Sequence, residues 1–258
     1  MATDLSVIPY QAGLIPLCTP LTAKFAQSDG QEHLRRTWDV AVNGCLIVFG
    51  TPLVLLAVLA GPAVSLVLGD AWLSASGLVA GAALSALPAF VAFLLTPLAI
   101  ARYHSRALFE RTVVTSLVLV PVTILGATRY GAYGTIIANG ISNVAATLIS
   151  MRAAARITGQ PVTLQCWGLH RTIIGYAALA APAWVLSHAF FGLAAPATAA
   201  TTALLFGLTL AIGSGLLAQA LSMWLLWILE GRPPGVEASL ADLISTRLVR
   251  RRVPVTVN

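Results

Sequence analysis

GCLIVFGTPLVLLAVLAGPAVSLVLGDAW, Gly44 to Trp72, decides the fold. It carries no charged side chain before Asp70, yet Pro52, Pro62, Gly50, Gly61 and Gly69 interrupt it. Water does not accept so long an uncharged run on a protein surface. The hydrocarbon core of a bilayer does, and it takes about 20 apolar residues per helix.

The rest of the chain has the same character. Of 258 residues, 58% are hydrophobic and 9% charged, and mean hydropathy is +0.86. A soluble domain has roughly 25% charged residues, so this chain cannot cover a water-facing surface. Charge-free runs at 40–69, 71–101, 130–151 and 172–229 are long enough to span, the last of them twice. The shorter run 112–128 is adequate, and Pro9, Pro16 and Pro20 interrupt a first span. The expectation is an all-α, polytopic transmembrane bundle of about seven spans, near 5–23, 40–68, 74–101, 112–128, 131–151, 172–191 and 197–229. No stretch alternates with period two over about ten residues, which argues against an outer-membrane barrel.

Lys and Arg fix the expected orientation. Segments 24–38, 102–111 and 152–171 hold three each and the tail 230–258 holds five, whereas 69–73 and 192–197 hold none and the turn near 129 holds one. Basic residues are retained in cytoplasmic loops. The N-terminus is therefore expected outside and the C-terminus in the cytoplasm. The net charge of +6 follows from this bias, and without basic stripes interleaved with aromatics it does not predict nucleic-acid binding. MATDLSVIPYQ, residues 1–11, has no basic n-region and no cleavage pattern, so it does not read as a signal peptide. An odd number of spans starting outside is what the second half of a longer transporter would have.

Pro52, Pro62, Pro88, Pro97, Pro121 and Pro182 fall within the expected spans. Each removes a backbone hydrogen bond that lipid cannot replace, so neighbouring helices must satisfy the freed carbonyls. Such kinks suit a bundle that moves, although proline is also commoner in membrane helices generally. Gly77 and Gly81 form a GxxxG pair, and Gly134, Ala138 and Ser142 extend the small-residue pattern.

All nine carboxylates lie at span ends or in loops, so no mid-membrane acid marks a proton or sodium site. HExxH, GxSxG and P-loop patterns are absent. Neither enzyme activity nor a cofactor is expected, and no metal site either. Cys18, Cys45 and Cys166 lie far apart and read as small apolar residues. His188 reads as an interfacial side chain. Asn139 and Asn143 share one helix face at i, i+4. With Ser142 they either line a polar path or bond across helices as packing, the role also read for Asn43 and Gln219.

Leu14 to Trp72, LIPLCTPLTAKFAQSDGQEHLRRTWDVAVNGCLIVFGTPLVLLAVLAGPAVSLVLGDAW, resembles the central stretch of bacterial polysaccharide and O-antigen flippases of the multidrug/oligosaccharidyl-lipid/polysaccharide exporter superfamily. Pro16–Pro20 ends one span, GQEHLRRTW (Gly30–Trp38) forms the acidic–basic segment, and the span with Pro52 closes on LVLGDAW. TRYGAYGTIIANGISN (Thr128–Asn143) is similar to the family's Tyr-Gly turn before the next span. The likeness covers most of 5–156 and beyond 160 is one of hydropathy alone.

The resemblance implies one lobe, the C-terminal half, of a two-lobed transporter that moves a lipid-linked oligosaccharide by alternating access. The missing N-terminal lobe or a polysaccharide polymerase would be its partner, alongside membrane lipids. Arg35 and Arg36 are then expected at the cytoplasmic rim, where arginine forks suit a diphosphate; plain positive-inside anchoring is the alternative. A small-molecule or drug exporter of the same superfamily and a non-transporting membrane subunit also remain open. In the tail, Leu240, Leu243, Ile244 and Leu248 recur at helical spacing, so 237–252 is expected as an amphipathic interfacial helix ending in arginines.

Overall fold

The computed structural model describes residues 15–192 and 200–229; over these the chain is almost entirely helical, and no strand occurs among the described residues. The amphipathic tail and the start of the first expected span lie outside the described residues. Helix α1 (Ile15–Ala26) turns at Gly30 into α2 (Gln31–Cys45). A π-helical turn, Leu46–Gly50, joins α2 to α3 (Thr51–Val58). Pro62 has no N–H for the Val58 carbonyl, and Leu59 leaves helical geometry at φ −98°, ψ 18° before α4 (Ala60–Leu68) resumes. A 3₁₀ turn, Asp70–Ala75, leads into α5 (Ser76–Ala101). Then come α6 (Ser105–Thr158), α7 (Val162–Gly168), α8 (His170–Gly192) and α9 (Ala200–Leu229).

Among the described residues, five helical stretches are long and apolar enough to cross a membrane: Gln31–Val58, Asp70–Ala101, Ser105–Thr158, Val162–Ala189 and Leu205–Leu229. Their outer faces carry large apolar side chains; Leu117 and Leu217 are 68% and 66% exposed. A contiguous apolar exterior needs a partner or a lipid solvent, and these helices have the make-up of a membrane protein.

Helix α6 is a pair of helices folded back on each other. Gly131 takes φ 59° and ψ −134°, a conformation open to glycine and strained for other residues. The arms 105–130 and 132–158 then run antiparallel. Ser142 Oγ donates to the Thr115 carbonyl at 3.4 Å, and Arg156 pairs with Glu110 at 3.5 Å. The arms meet on bare backbone near the turn: a Cβ on Gly134 would lie 1.9 Å from the Gly126 carbonyl oxygen.

Along the second arm, Gly134, Ala138, Ser142, Ala146, Ser150, Ala154 and Thr158 recur every fourth residue, and all are buried. Small side chains let helix backbones approach where apolar burial gives no drive. The arm is stitched to α5 by side chains of the stripe and beside it that donate to backbone: Asn143 Nδ2 to Ser85 O at 2.8 Å, Thr147 to Pro88 O and Ser150 to Ala92 O at 3.5 Å.

The second expected span, 40–68, differs from what forms. The helix starts nine residues earlier, at Gln31. Hydropathy falls at Asp39, but backbone hydrogen bonding does not stop there. Leu34, Thr37, Trp38, Val42 and Cys45 bury one face while Glu32 and the arginines take the other. That face joins a core with Phe25 of α1, Leu94 and Leu98 of α5 and Ala154 of α6. Much of the segments 24–38, 102–111 and 152–171, read as loops, is likewise helical.

Candidate functional site

The segments 24–38, 102–111 and 152–171 gather at one end of the bundle. Arg102 donates to the Ser28 carbonyl, Gln31 and Gly159 approach each other, and Arg156 meets Glu110. Arg111 reaches from α6 to the Ala92 carbonyl of α5 at 2.8 Å. We call this the basic end.

From the basic end a polar seam runs along α2 and α3. Gln160 Nε2 donates to Asp39 Oδ2 at 3.4 Å. Four residues on, Asn43 Oδ1 accepts from Thr172 Oγ1 at 2.9 Å. Three further, the Leu46 carbonyl accepts from the Tyr176 hydroxyl at 2.6 Å. Five further, Thr51 Oγ1 accepts from Gln219 Nε2 at 2.9 Å. Steps of four and three keep one face of an α-helix. The step of five matches the i→i+5 bonding of a π-helix, and it falls on the π-helical turn Leu46–Gly50. The extra residue thus keeps Thr51 on the face that meets α8 and α9. Thr51, Thr172 and Gln219 are buried, and buried polar groups cost dearly unless paired.

Arg35 and Arg36 lie at the basic end but both turn to Glu32 of their own helix, Arg36 Nε at 3.0 Å and Arg35 Nη1 at 3.7 Å. Asn143 is committed to the Ser85 carbonyl and lies 3.5 Å from Asn139 Oδ1. Asn139 is exposed on a largely apolar cavity of about 510 Å³ with Ser85, Thr123 and Thr135 in its lining. The arginines and the asparagines therefore belong to separate places. Among the described residues, His188 rests on Trp184, ring centroids 4.3 Å apart, and the three cysteines are free, with Cys166 exposed.

Sequence reasoning ranked Asn139 and Asn143 above Asn43 and Gln219, yet Gln219 is the buried one of the four at 4% exposed, while Asn43 and Asn143 are half-buried and Asn139 is exposed. Thr172 and Tyr176 were not singled out at all. A polar residue in an apolar run was the available signal, but partners up to 168 positions apart leave no local trace. Comparison with known protein families, characterised proteins and solved structures finds no match for the chain.

Proposed function

We propose that this chain is one lobe of a two-lobed exporter that flips lipid-linked oligosaccharide or polysaccharide precursors across a bacterial inner membrane by alternating access. In this reading it has seven spans, an outer N-terminus and a cytoplasmic C-terminus, and a second lobe completes the cavity. The observation that carries it is the seam, a helix contact built from side-chain hydrogen bonds beside a π-helical turn, next to a basic end. A lobe that rocks has to break and remake contacts, and paired amides and hydroxyls can exchange partners where interlocked apolar packing cannot. The resemblance of residues 5–156 to polysaccharide flippases is what supports this substrate class. Arg35 and Arg36 would meet the diphosphate at the rim, and Asn139 would face the path.

Reconstitution with a co-expressed seven-span partner lobe tests the proposal. In vesicles loaded with a fluorescent isoprenoid-diphosphate oligosaccharide, the pair should speed loss of the label to an external quencher several-fold over protein-free vesicles. Transfer no faster than in protein-free vesicles would overturn the flippase reading. Reporter fusions after Ser74, Ala107, Ala132 and Gly159 should alternate outside, inside, outside, inside; a cytoplasmic signal at Ser74 would overturn the orientation.

A further inference from the structure

Two adjoining cavities open at the basic end, of about 390 and 260 Å³, with His104 and Ile157 in the walls of both. Arg106, Glu110 and Arg156 line the larger and Arg102 the smaller. Three arginines and a histidine thus face one carboxylate. Glu110 engages Nε of Arg106 at 3.0 Å and one terminal nitrogen of Arg156 at 3.5 Å. A guanidinium has five donors, so both forks keep donors to spare, and their side chains are 90% and 74% exposed. Arg102 gives one terminal nitrogen to Ser28, and its Nε is buried with no hydrogen-bond partner. The first turn of α6 also lines the larger cavity and has neither an acidic residue nor a side-chain cap. Its backbone N–H groups and positive dipole end add to the same field.

We propose that these joined cavities bind a phosphate-bearing anion, presented in the membrane as the headgroup of an anionic phospholipid. Basic pockets between membrane helices take such headgroups, and here Ala153 and Ile157 offer an apolar wall beside the charge. Glu110 holds one nitrogen of each fork in the absence of the ligand and yields them to phosphate oxygens, which can accept from arginine bidentately. The site does not depend on the transport reading.

The test follows the thermal unfolding midpoint of the full chain in neutral detergent during titration with phosphatidylglycerol, phosphatidylcholine or inorganic phosphate. Phosphatidylglycerol should raise the midpoint saturably and phosphatidylcholine should not. Arg106→Gln and Arg156→Gln should each raise the half-saturating concentration about fivefold. Arg152→Gln, an equal charge change at the same end but outside both cavities, should leave it unchanged. Glu110→Gln keeps both cations and removes their competitor, so it should lower the half-saturating concentration. A midpoint shift by inorganic phosphate as large as that by the lipid upholds the anion site and assigns it a water-borne ligand. An equal response to both lipids, equal weakening by Arg152→Gln, or no tightening by Glu110→Gln would overturn it. The last arm decides alone should the arginine variants fail to fold.

Discussion

The second arm of α6 and the seam along α2 and α3 are both contacts between helices in an apolar setting, made by opposite means. The arm offers small residues at every fourth position and gives its hydroxyls and amides to backbone carbonyls of α5 and of the facing arm. The seam offers larger polar side chains, and most of its bonds join side chain to side chain. A carbonyl oxygen is fixed by its helix, so the first contact has one register. Side-chain pairs rotate and exchange partners, so the second tolerates movement. The lesson is that polar residues in a membrane helix lock it when they reach backbone and leave it adjustable when they reach one another.

Filling the arm should break the contrast most severely. Gly134→Leu pushes its side chain onto the Gly126 backbone, which has no rotamer to escape to. We expect a loss of about 3 kcal/mol or more, read as failure to recover folded protein from the membrane. Gln219→Leu should cost less, about 1–2 kcal/mol, because it leaves Thr51 buried and unpaired. Adding Thr51→Val should restore most of that by steric trapping in bicelles, whereas additive losses would show that the pair is not the unit of the seam. Tyr176→Phe should cost about 0.6 kcal/mol, the usual worth of one such bond between membrane helices. An effect as large as that of Gln219→Leu would make the π-helical turn the seam's anchor. Replacing both Arg35 and Arg36 with Gln should change stability by less than about 0.5 kcal/mol, since exposed pairs contribute little. In the vesicle assay the same variant should slow transfer; an unchanged rate would sink their substrate role.

The helical, membrane-type make-up was legible because composition and unbroken apolar runs are properties of the sequence itself. A turn near residue 129 was expected from the break between the apolar runs 112–128 and 130–151, but Gly131 as its pivot and the touch of Gly134 on Gly126 come from the fold alone. The start of α2 was not legible. Asp39 ends the apolar run, but an amphipathic first half, with Glu32, Arg35 and Arg36 off its buried face, keeps the helix going back to Gln31. The seam was illegible for a different reason. Asn43 and Gln219 look alike in sequence, and whether an amide is paired depends on a distant helix that only the fold brings near. Asn139 and Asn143 do meet as their spacing implies, at 3.5 Å, but the shorter bond of Asn143 goes to the Ser85 carbonyl and Asn139 faces a cavity, which spacing alone does not reveal.

The fourfold spacing from Gly134 to Thr158 also fixes how the chain can vary in length. Four residues turn an α-helix by about 400°, so each member of the stripe runs ahead of the last by about 40°. The stripe therefore winds around its helix and meets successive neighbours, Gly126 and Thr115 of the facing arm, then Ala92 of α5 at Ser150, and at Ala154 the core holding Phe25 and Trp38. One inserted residue would rotate every later member by about 100° and set the stripe against the wrong partners. Between Gly131 and Thr158 the chain can exchange one small residue for another far more readily than it can gain or lose one.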